Sequence, residues 1–144
     1  MTFEELRRCI AADQFRYDGG AGGFWRQWFG ESGFRFTVVM RLCTFFRSQW
    51  WSRWVIYHLF RFWHRRQQVK YGAYISFESN IGPGLYLGHL CCIFVNPRTV
   101  IGRNCTLGHG VTLGQTNARS RQPGCPVIGD NAYIGCGAAV IGGL

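Results

Sequence analysis

The second half of the chain carries an aliphatic residue at every sixth position. The members of this series are Ile75, Ile81, Leu87, Ile93, Ile101, Leu107, Leu113, Ile128, Ile134 and Val140. Glycine follows most of them, at positions 82, 88, 102, 108, 114, 129 and 135. A six-residue period does not match a helix, but it is typical of a parallel β-solenoid whose hexads form flat sides around an aliphatic core. The pattern therefore predicts a mainly β solenoid in which three hexads make one triangular coil.

Two irregularities interrupt this repeat. Between Ile93 and Ile101 the series slips by two residues, which we assign to a bulge or turn at Asn96-Pro97. Further on, residues 114–127 are polar and basic and contain two prolines. We predict that this second segment is a loop extruded from the solenoid, and such loops commonly carry function.

The first half of the chain has helical periodicity instead. Thr2 and Glu5 have the spacing of a capping box, which predicts a helix that the run "DGGAGG" ends. From Phe34 to about residue 47, and again from Trp50 to about residue 68, apolar residues recur at three- and four-residue spacing. Two further amphipathic helices are therefore expected.

Composition and charge change at the same place as the periodicity. The chain has 144 residues and a net charge of +9. Residues 1–72 hold twelve of the sixteen Lys and Arg residues and all six Trp, whereas Gly and small β-branched residues dominate afterwards. We therefore divide the chain into an α-helical region, 1–72, and a β-helix domain, 73–144, that includes the loop 114–127.

The Arg- and Trp-rich helical region is compatible with three kinds of partner. It can pack or oligomerise, lie on a membrane surface, or bind nucleic acid. Nucleic acid is disfavoured because the chain has a single Lys and no recognised nucleic-acid motif. Packing or oligomerisation is the favoured interpretation, and peripheral membrane contact stays open.

Cysteine usage indicates a cytoplasmic protein. The seven cysteines are odd in number and lack C-x-x-C spacing, so neither a disulfide framework nor a zinc knuckle is indicated. No signal-peptide pattern opens the chain, and Arg residues interrupt each apolar run before the roughly 18 residues that a membrane span needs.

The dipeptide Gly-His occurs twice, ending at His89 and His109. One coil plus the two-residue slip equals their separation, so both should occupy equivalent positions on successive coils, about 5 Å apart. A metal site is disfavoured because no third His has suitable spacing, and Cys91 or Cys125 would serve only by accident of folding. A structural role remains open, as does a general base that deprotonates an alcohol attacking an activated acyl group.

A histidine base normally needs a partner that holds its second ring nitrogen. The only carboxylates after residue 73 belong to Glu78 and Asp130. We therefore expect a backbone carbonyl to orient the base.

Several long stretches of the chain resemble the serine O-acetyltransferases of the hexapeptide-repeat acyltransferase superfamily, in particular a branch found in polysaccharide gene clusters. They read "ADQFRY", "FTVVMRLCTFFR", "KYGAYISFESNIGPGLYLGH", "VNPRTVIGRNCTLGHGVTLG" and "PVIGDNAYIGCGAAVIGG". The resemblance implies a left-handed parallel β-helix, a homotrimer or dimer of trimers, acetyl-CoA as donor without a metal, and serine as the favoured acceptor. A sugar hydroxyl in capsule or exopolysaccharide synthesis is the alternative acceptor, and a non-catalytic scaffold is the alternative class.

Residue by residue, the resemblance is uneven. His89 in "LGHL" matches the family's principal catalytic histidine. Tyr74 and Gly88 stand where the family has acidic residues, and a second family histidine falls on Gln122 or Cys125.

The resemblance implies direct acetyl transfer with His89 as general base. His109 is kept as a secondary candidate on its stacked position alone, since the family more often has Gln there and the resemblance does not assign it a role. Backbone N–H groups near Gly114 and the extruded loop are candidate oxyanion donors. The positions expected to contact CoA, in a groove between coils of two subunits, are Gly114, Gln115, Thr116, Arg119, Arg121, Gly135 and Cys136. The chain stops at "AAVIGGL" without a polar capping segment, so we expect a truncated sequence.

Overall fold

The computed structural model describes residues 1–19, 21–50, 55–116 and 121–143. In this part of the chain, helices precede short strands. The helices are α1 (Phe3–Asp18), α2 (Phe24–Gly30), α3 (Ser32–Ser48) and α4 (Ile56–Tyr71). The strands are β1 (Tyr74–Ile75), β2 (Asn80–Ile81), β3 (Tyr86–Leu87), β4 (Phe94–Val95), β5 (Val100–Ile101), β6 (Thr106–Leu107), β7 (Thr112–Gly114), β8 (Val127–Ile128), β9 (Tyr133–Ile134) and β10 (Ala139–Ile141).

The strands form three parallel sheets, one for each side of a triangular solenoid. Their orders are β1-β4-β7-β10, β2-β5-β8 and β3-β6-β9, so each strand pairs with its equivalent on the next coil. We call these sheets A, B and C. The predicted parallel β-solenoid is confirmed.

The predicted inward positions form the core of the solenoid. Eight of the ten aliphatic residues in the series are buried, while Ile128 and Val140 are partly buried and pack against the others. A second inward series lies two residues before the first, and its buried members are Ala73, Leu85, Ile93, Thr99, Cys105, Val111 and Pro126. Each side of a coil therefore contributes two side chains to the core.

The two-residue slip lies elsewhere than predicted. Val95 is the strand partner of Ile75, so Ile93 belongs to the second inward series and the hexad from Val95 onward is regular. Asn96 does begin a turn, closed by a 2.9 Å hydrogen bond from the Thr99 N–H to its carbonyl, but this turn holds no extra residue. The prediction was wrong because Ile93 and Val95 are both buried and stand two positions apart. The sequence pattern alone does not show which of the two continues the six-residue series. The extra residues lie in the corner between β3 and β4.

The helical region agrees with the periodicity in part. The capping box is confirmed, with the Glu5 N–H donating to Thr2 Oγ1 and the Thr2 N–H donating to the Glu5 carboxylate. Helix α2 was missed because it has only seven residues and follows a glycine-rich run. Helix α4 begins at Ile56, and residues 51–54 of the predicted helix lie outside the described residues.

Helical side chains cap the exposed edge of the first coil. An uncovered strand edge leaves backbone groups unpaired and invites aggregation. Here the Thr44 hydroxyl donates to the carbonyl of Phe77 at 2.9 Å, and the Arg41 guanidinium donates to two carbonyls, of Ile81 and Gly82, at 2.6 Å each. The helical region therefore serves as the terminal cap that a solenoid requires.

The most buried part of this cap is an ion pair between α1 and α3. Asp13 and Arg41 are 0% and 4% exposed, and two guanidinium nitrogens approach the carboxylate at 3.1 and 3.2 Å. The same carboxylate accepts the backbone N–H groups of Gly84 and Leu85, both at 2.8 Å. This network joins both helices to the segment that enters β3.

His64 of α4 caps the same edge and makes stability depend on pH. Its Nε2–H donates to the carbonyl of Ile75 at 2.9 Å, and burial lowers its pKa to about 4. Between pH 6.5 and 4 the unfolded chain binds a proton that the folded chain does not, so the free energy of unfolding falls as pH falls through this window. At about 1.4 kcal/mol per pKa unit, we expect a loss of up to about 3 kcal/mol.

Urea unfolding at pH 7.5 and pH 4.5 measures this loss. In a His64→Gln variant the part of the pH dependence due to His64 should disappear, whereas His58→Gln, at an exposed position, should leave it intact. Identical pH dependence in the wild type and His64→Gln would contradict the assignment.

Within the ranges that the structure describes, no helix has the length and apolar character needed to cross a membrane.

Candidate functional site

The two Gly-His pairs lie at one corner of the solenoid, on successive coils. His89 and His109 each follow the glycine after a strand of sheet C, and the register pairs Leu87 with Leu107. Their ring centroids are 6.2 Å apart, with the ring planes at 64°. Both side chains are exposed. The predicted equivalence of the two positions is confirmed, and the rings meet edge to face.

Cys136 lies in line with the two histidines, on the next coil. The register pairs Leu107 with Ile134, which places Cys136 on the third coil at the position that His109 has on the second. The 2.8 Å hydrogen bond from the Gly137 N–H to the carbonyl of His109 ties the two coils together. We refer to His89, His109 and Cys136 as the histidine column.

Glycine next to the column is required by the spacing of the coils. A Cβ on Gly108 would lie 2.8 Å from the Cys136 nitrogen and 2.9 Å from its Sγ. Real Cβ atoms essentially never come this close, so a side chain at Gly108 would push the second and third coils apart. The recurring glycine therefore keeps the members of the column on neighbouring coils.

The helical region holds the backbone that leads to His89. Tyr17 of α1 places its hydroxyl 3.2 Å from the Leu87 nitrogen, from which it accepts a hydrogen bond. A Cβ on Gly33 of α3 would collide with the Leu87 carbonyl, so α3 packs directly on this strand. These contacts fix the chain two residues before His89.

The corner that follows His89 contains the two extra residues, and backbone hydrogen bonds hold it in place. The Cys91 N–H donates to the His89 carbonyl at 2.8 Å, and the Gly110 N–H donates to the Cys91 carbonyl at 3.0 Å. Cys92 adopts a left-handed φ of 52°. The two extra residues therefore belong to the first coil next to the histidine column, in a corner that these backbone hydrogen bonds hold.

No partner orients either imidazole within the described residues. The expected backbone carbonyl is not in contact, because both rings point outward from the corner. The two carboxylates of the β-helix domain are used elsewhere: Glu78 pairs with Arg47 at 2.6 Å and Asp130 with Arg103 at 2.7 Å. The prediction of an orienting carbonyl is therefore wrong for the single chain.

The predicted CoA-contacting residues fall into two groups. Gly135 and Cys136 lie at the histidine column, whereas Gly114 is the last residue of β7 on sheet A, and Gln115 and Thr116 follow it. A turn at Gly110, with φ of 71°, and then β7 separate His109 from Gly114, which lies at the end of that strand away from the histidine corner. The single chain thus does not place the candidate oxyanion donor beside the candidate base.

The base of the extruded loop is ordered around Thr116. Its N–H donates to the Gly124 carbonyl at 3.0 Å, and its hydroxyl donates to the Gln122 carbonyl at 2.6 Å. Arg121 is exposed, while Arg119 lies outside the described residues. Cys125, the other candidate for the family's second histidine, has its Sγ 3.4 Å from Asn96 Oδ1.

No group of three or more His, Cys, Asp or Glu side chains within the described ranges is arranged to hold a metal ion. The histidine column itself presents two imidazole groups and one thiol group. An exposed imidazole can accept a proton from a hydroxyl group near neutral pH.

Comparisons with known proteins were made for sequence and for fold. Serine acetyltransferase 1 of Arabidopsis thaliana is 36% identical over 66 residues, which cover 46% of this chain and 21% of the plant protein. Soybean serine acetyltransferase, solved in complex with serine, superposes with a TM-score of 0.74 at 26% identity over 97% of this chain and 56% of its own. Serine acetyltransferase of Brucella abortus, solved with coenzyme A, gives a TM-score of 0.69 at 25% identity over 96% of this chain and 53% of its own.

No protein-family model matches the chain. The chain spans about half the length of the solved structures that it matches and a smaller share of the Arabidopsis relative.

The coils, their hexad repeat and these superpositions together define a left-handed parallel β-helix of the hexapeptide-repeat class, preceded by a helical region. Within that class, the relatives and the structural neighbours are serine acetyltransferases. The resemblance to serine acetyltransferases is therefore confirmed, whereas the assignment to a branch of polysaccharide gene clusters stays a prediction.

Proposed function

We propose that the protein transfers an acetyl group from acetyl-CoA to the hydroxyl group of serine. The observation that carries this proposal is the position of His89, at an exposed corner of a β-helix whose relatives are serine acetyltransferases. The solved neighbours bound to serine and to coenzyme A support the choice of both substrates.

In this proposal His89 acts as general base. Its neutral imidazole takes the proton of the acceptor hydroxyl as the oxygen attacks the thioester carbonyl. The carbon–sulfur bond then breaks, the acetyl group stays on the acceptor oxygen, and the proton returns to the leaving thiolate of CoA. No covalent enzyme intermediate is required. We assign to His109, whose ring centroid lies 6.2 Å from that of His89, the role of supporting the base and not of replacing it.

The separation of the two candidate groups favours a site shared between subunits. Residues 114–116 lie one face away from the histidine column of their own chain. We propose a homotrimer or a dimer of trimers in which these residues of one copy, with Arg121, face the column of the next and bind CoA. Arg119 belongs to this proposal by sequence alone.

A sugar hydroxyl is the second candidate acceptor. Tyr74 stands at a family acidic position, and its ring lies 6.2 Å from that of Phe94 on sheet A, beside the histidine corner. Both rings are 49% exposed. An exposed pair of aromatic rings offers a surface on which the apolar face of a sugar can pack.

A thiol-release assay with acetyl-CoA tests the proposal. We expect turnover with serine, and comparison with a panel of sugars decides between the two acceptors. Failure of every acceptor together with failure to bind CoA would instead support a non-catalytic scaffold.

The seven cysteines are free, which supports a location in the reducing cytoplasm.

A further inference from the structure

The outer face of α4 is apolar although it faces solvent. Leu59, Phe62 and Val69 are 63%, 62% and 67% exposed, and Val55 before the helix is 64% exposed. Their spacing places them on one side of the helix, opposite the buried His64. An ordinary surface helix shows the reverse arrangement, with polar residues outward.

Cations accompany this apolar face, and acidic residues do not. Helix α4 carries Arg61, Arg65, Arg66 and Lys70 and has no Asp or Glu. The Arg66 guanidinium lies 5.8 Å from the centre of the Phe62 ring, so charge and apolar surface are in contact. This combination is the signature of a helix that lies in the interface of a membrane.

Helix α2 extends the same kind of surface. Trp28 of α2 meets Trp63 of α4 with ring centroids 5.7 Å apart. Trp25 and Phe29 of α2 stack on each other and are 68% and 75% exposed. Tryptophan is enriched where a protein meets the boundary between lipid and water. We call α2 and the outer side of α4 the aromatic face.

A cleft of about 780 Å³ opens between α4 and α3 beside this face. Arg35, Arg66 and Lys70 line it together with the buried Gln67, whose Oε1 has no hydrogen-bond partner among the residues that the structure describes. The cleft offers positive charge and a polar side chain next to aromatic rings. These groups match the phosphate and hydroxyl groups of a lipid headgroup.

A second copy of the chain is a poor match for the aromatic face. The chain has a net charge of +9, and four of its seven acidic residues lie in ion pairs with arginines of the same chain. Another copy therefore brings no acidic patch to neutralise α4. We infer that the aromatic face docks on the surface of an anionic lipid bilayer, without spanning it.

Co-sedimentation with lipid vesicles tests this inference. Vesicles of phosphatidylglycerol and phosphatidylcholine in equal parts are compared with vesicles of phosphatidylcholine alone. We expect at least about tenfold stronger binding to the anionic vesicles, weakened by salt, because Lys and Arg near an anionic bilayer are attracted electrostatically.

Two pairs of variants separate the apolar and the electrostatic contributions. Leu59→Ser with Phe62→Ser removes apolar surface, and Val127→Ser with Tyr133→Ser is its matched control on the solenoid, at positions 61% and 76% exposed. We expect the first pair to lose about tenfold in vesicle binding and the control pair less than twofold.

The second pair of variants reverses charge. Arg66→Glu with Lys70→Glu should lose about tenfold or more in binding to anionic vesicles. Arg7→Glu with Arg8→Glu makes the same charge change on the exposed side of α1 and should lose less. Acetyl transfer in solution should not change in the variants of α4, so the outcome is independent of the proposed function.

Equal binding to both kinds of vesicle, or binding to neither, would overturn the inference. A variant of the aromatic face that converts an oligomer into monomers while vesicle binding persists would also overturn it. That result would assign the face to contacts between copies.

Discussion

Replacing Asp13 by Asn is expected to destabilise the protein by about 3–5 kcal/mol. The carboxylate is fully buried, pairs with Arg41 and accepts the N–H groups of Gly84 and Leu85. An asparagine keeps the shape but leaves the guanidinium charge buried without a counter-charge, and this is the costly part of the change. Urea unfolding followed by circular dichroism measures the loss.

Two further variants test whether the loss of stability in Asp13→Asn comes from the unpaired buried charge. Glu4→Gln removes an exposed pairing of 3.8 Å with Arg7 and should change the free energy of unfolding by less than about 0.5 kcal/mol. Replacing both Asp13 and Arg41, by Leu and Met, should cost less than Asp13→Asn because no buried charge remains. A cost below about 1 kcal/mol for Asp13→Asn would show that the network does not hold the cap.

Replacing His89 by Ala is expected to lower kcat for acetyl transfer by about 10²–10⁴-fold. The loss should appear mainly in kcat, because a general base acts in the transition state more than in substrate binding. His109→Ala should cost less than about tenfold, since this ring is placed to support its neighbour. Both side chains are exposed, so the free energy of unfolding should change by less than about 0.5 kcal/mol.

The double variant of His89 and His109 shows whether the two rings act as a unit. If His109 acts only through His89, its removal should have no further effect once His89 is gone. Equal losses from the two single variants would contradict the asymmetry proposed here. A Cys136→Ser variant completes the column and should retain kcat within a few-fold.

Much of the solenoid could be predicted from the sequence because its physical constraint is periodic. Each inward side chain must fill the same narrow core, so an aliphatic residue recurs at a fixed interval. The equivalence of His89 and His109 followed from counting residues, since both stand two positions after an inward leucine. The same count applied to Ile134 identifies Cys136 as the third member, a signal present in the sequence but not used.

Other features could not be read from periodicity. The extra residues of the first coil were placed at Asn96, since Ile93 and Val95 both have an inward side chain and only strand pairing distinguishes their roles. The capping of the first coil depends on contacts between residues far apart in sequence, such as Asp13 with Leu85. Nothing in the sequence around an isolated Asp, Arg or His of a helix shows that its side chain will form hydrogen bonds with the backbone groups of a strand edge.

The orientation of the base shows the limit of a single chain most clearly. The scarcity of carboxylates after residue 73 predicts a backbone carbonyl as the partner of the second ring nitrogen of His89. Both rings instead face solvent at the corner, where a substrate or a neighbouring copy has access. The aromatic face of α2 and α4 was likewise visible as composition, but its direction became clear only from which side of α4 is buried.

The most direct test of the central claim is to follow the acetyl group itself. The wild type and His89→Ala are incubated with isotopically labelled acetyl-CoA and serine, and the products are analysed by mass spectrometry. We predict labelled O-acetylserine with the wild type and at least about a hundredfold less with the variant at equal times. Equal amounts of labelled product from both proteins would contradict the assignment of His89 as the general base.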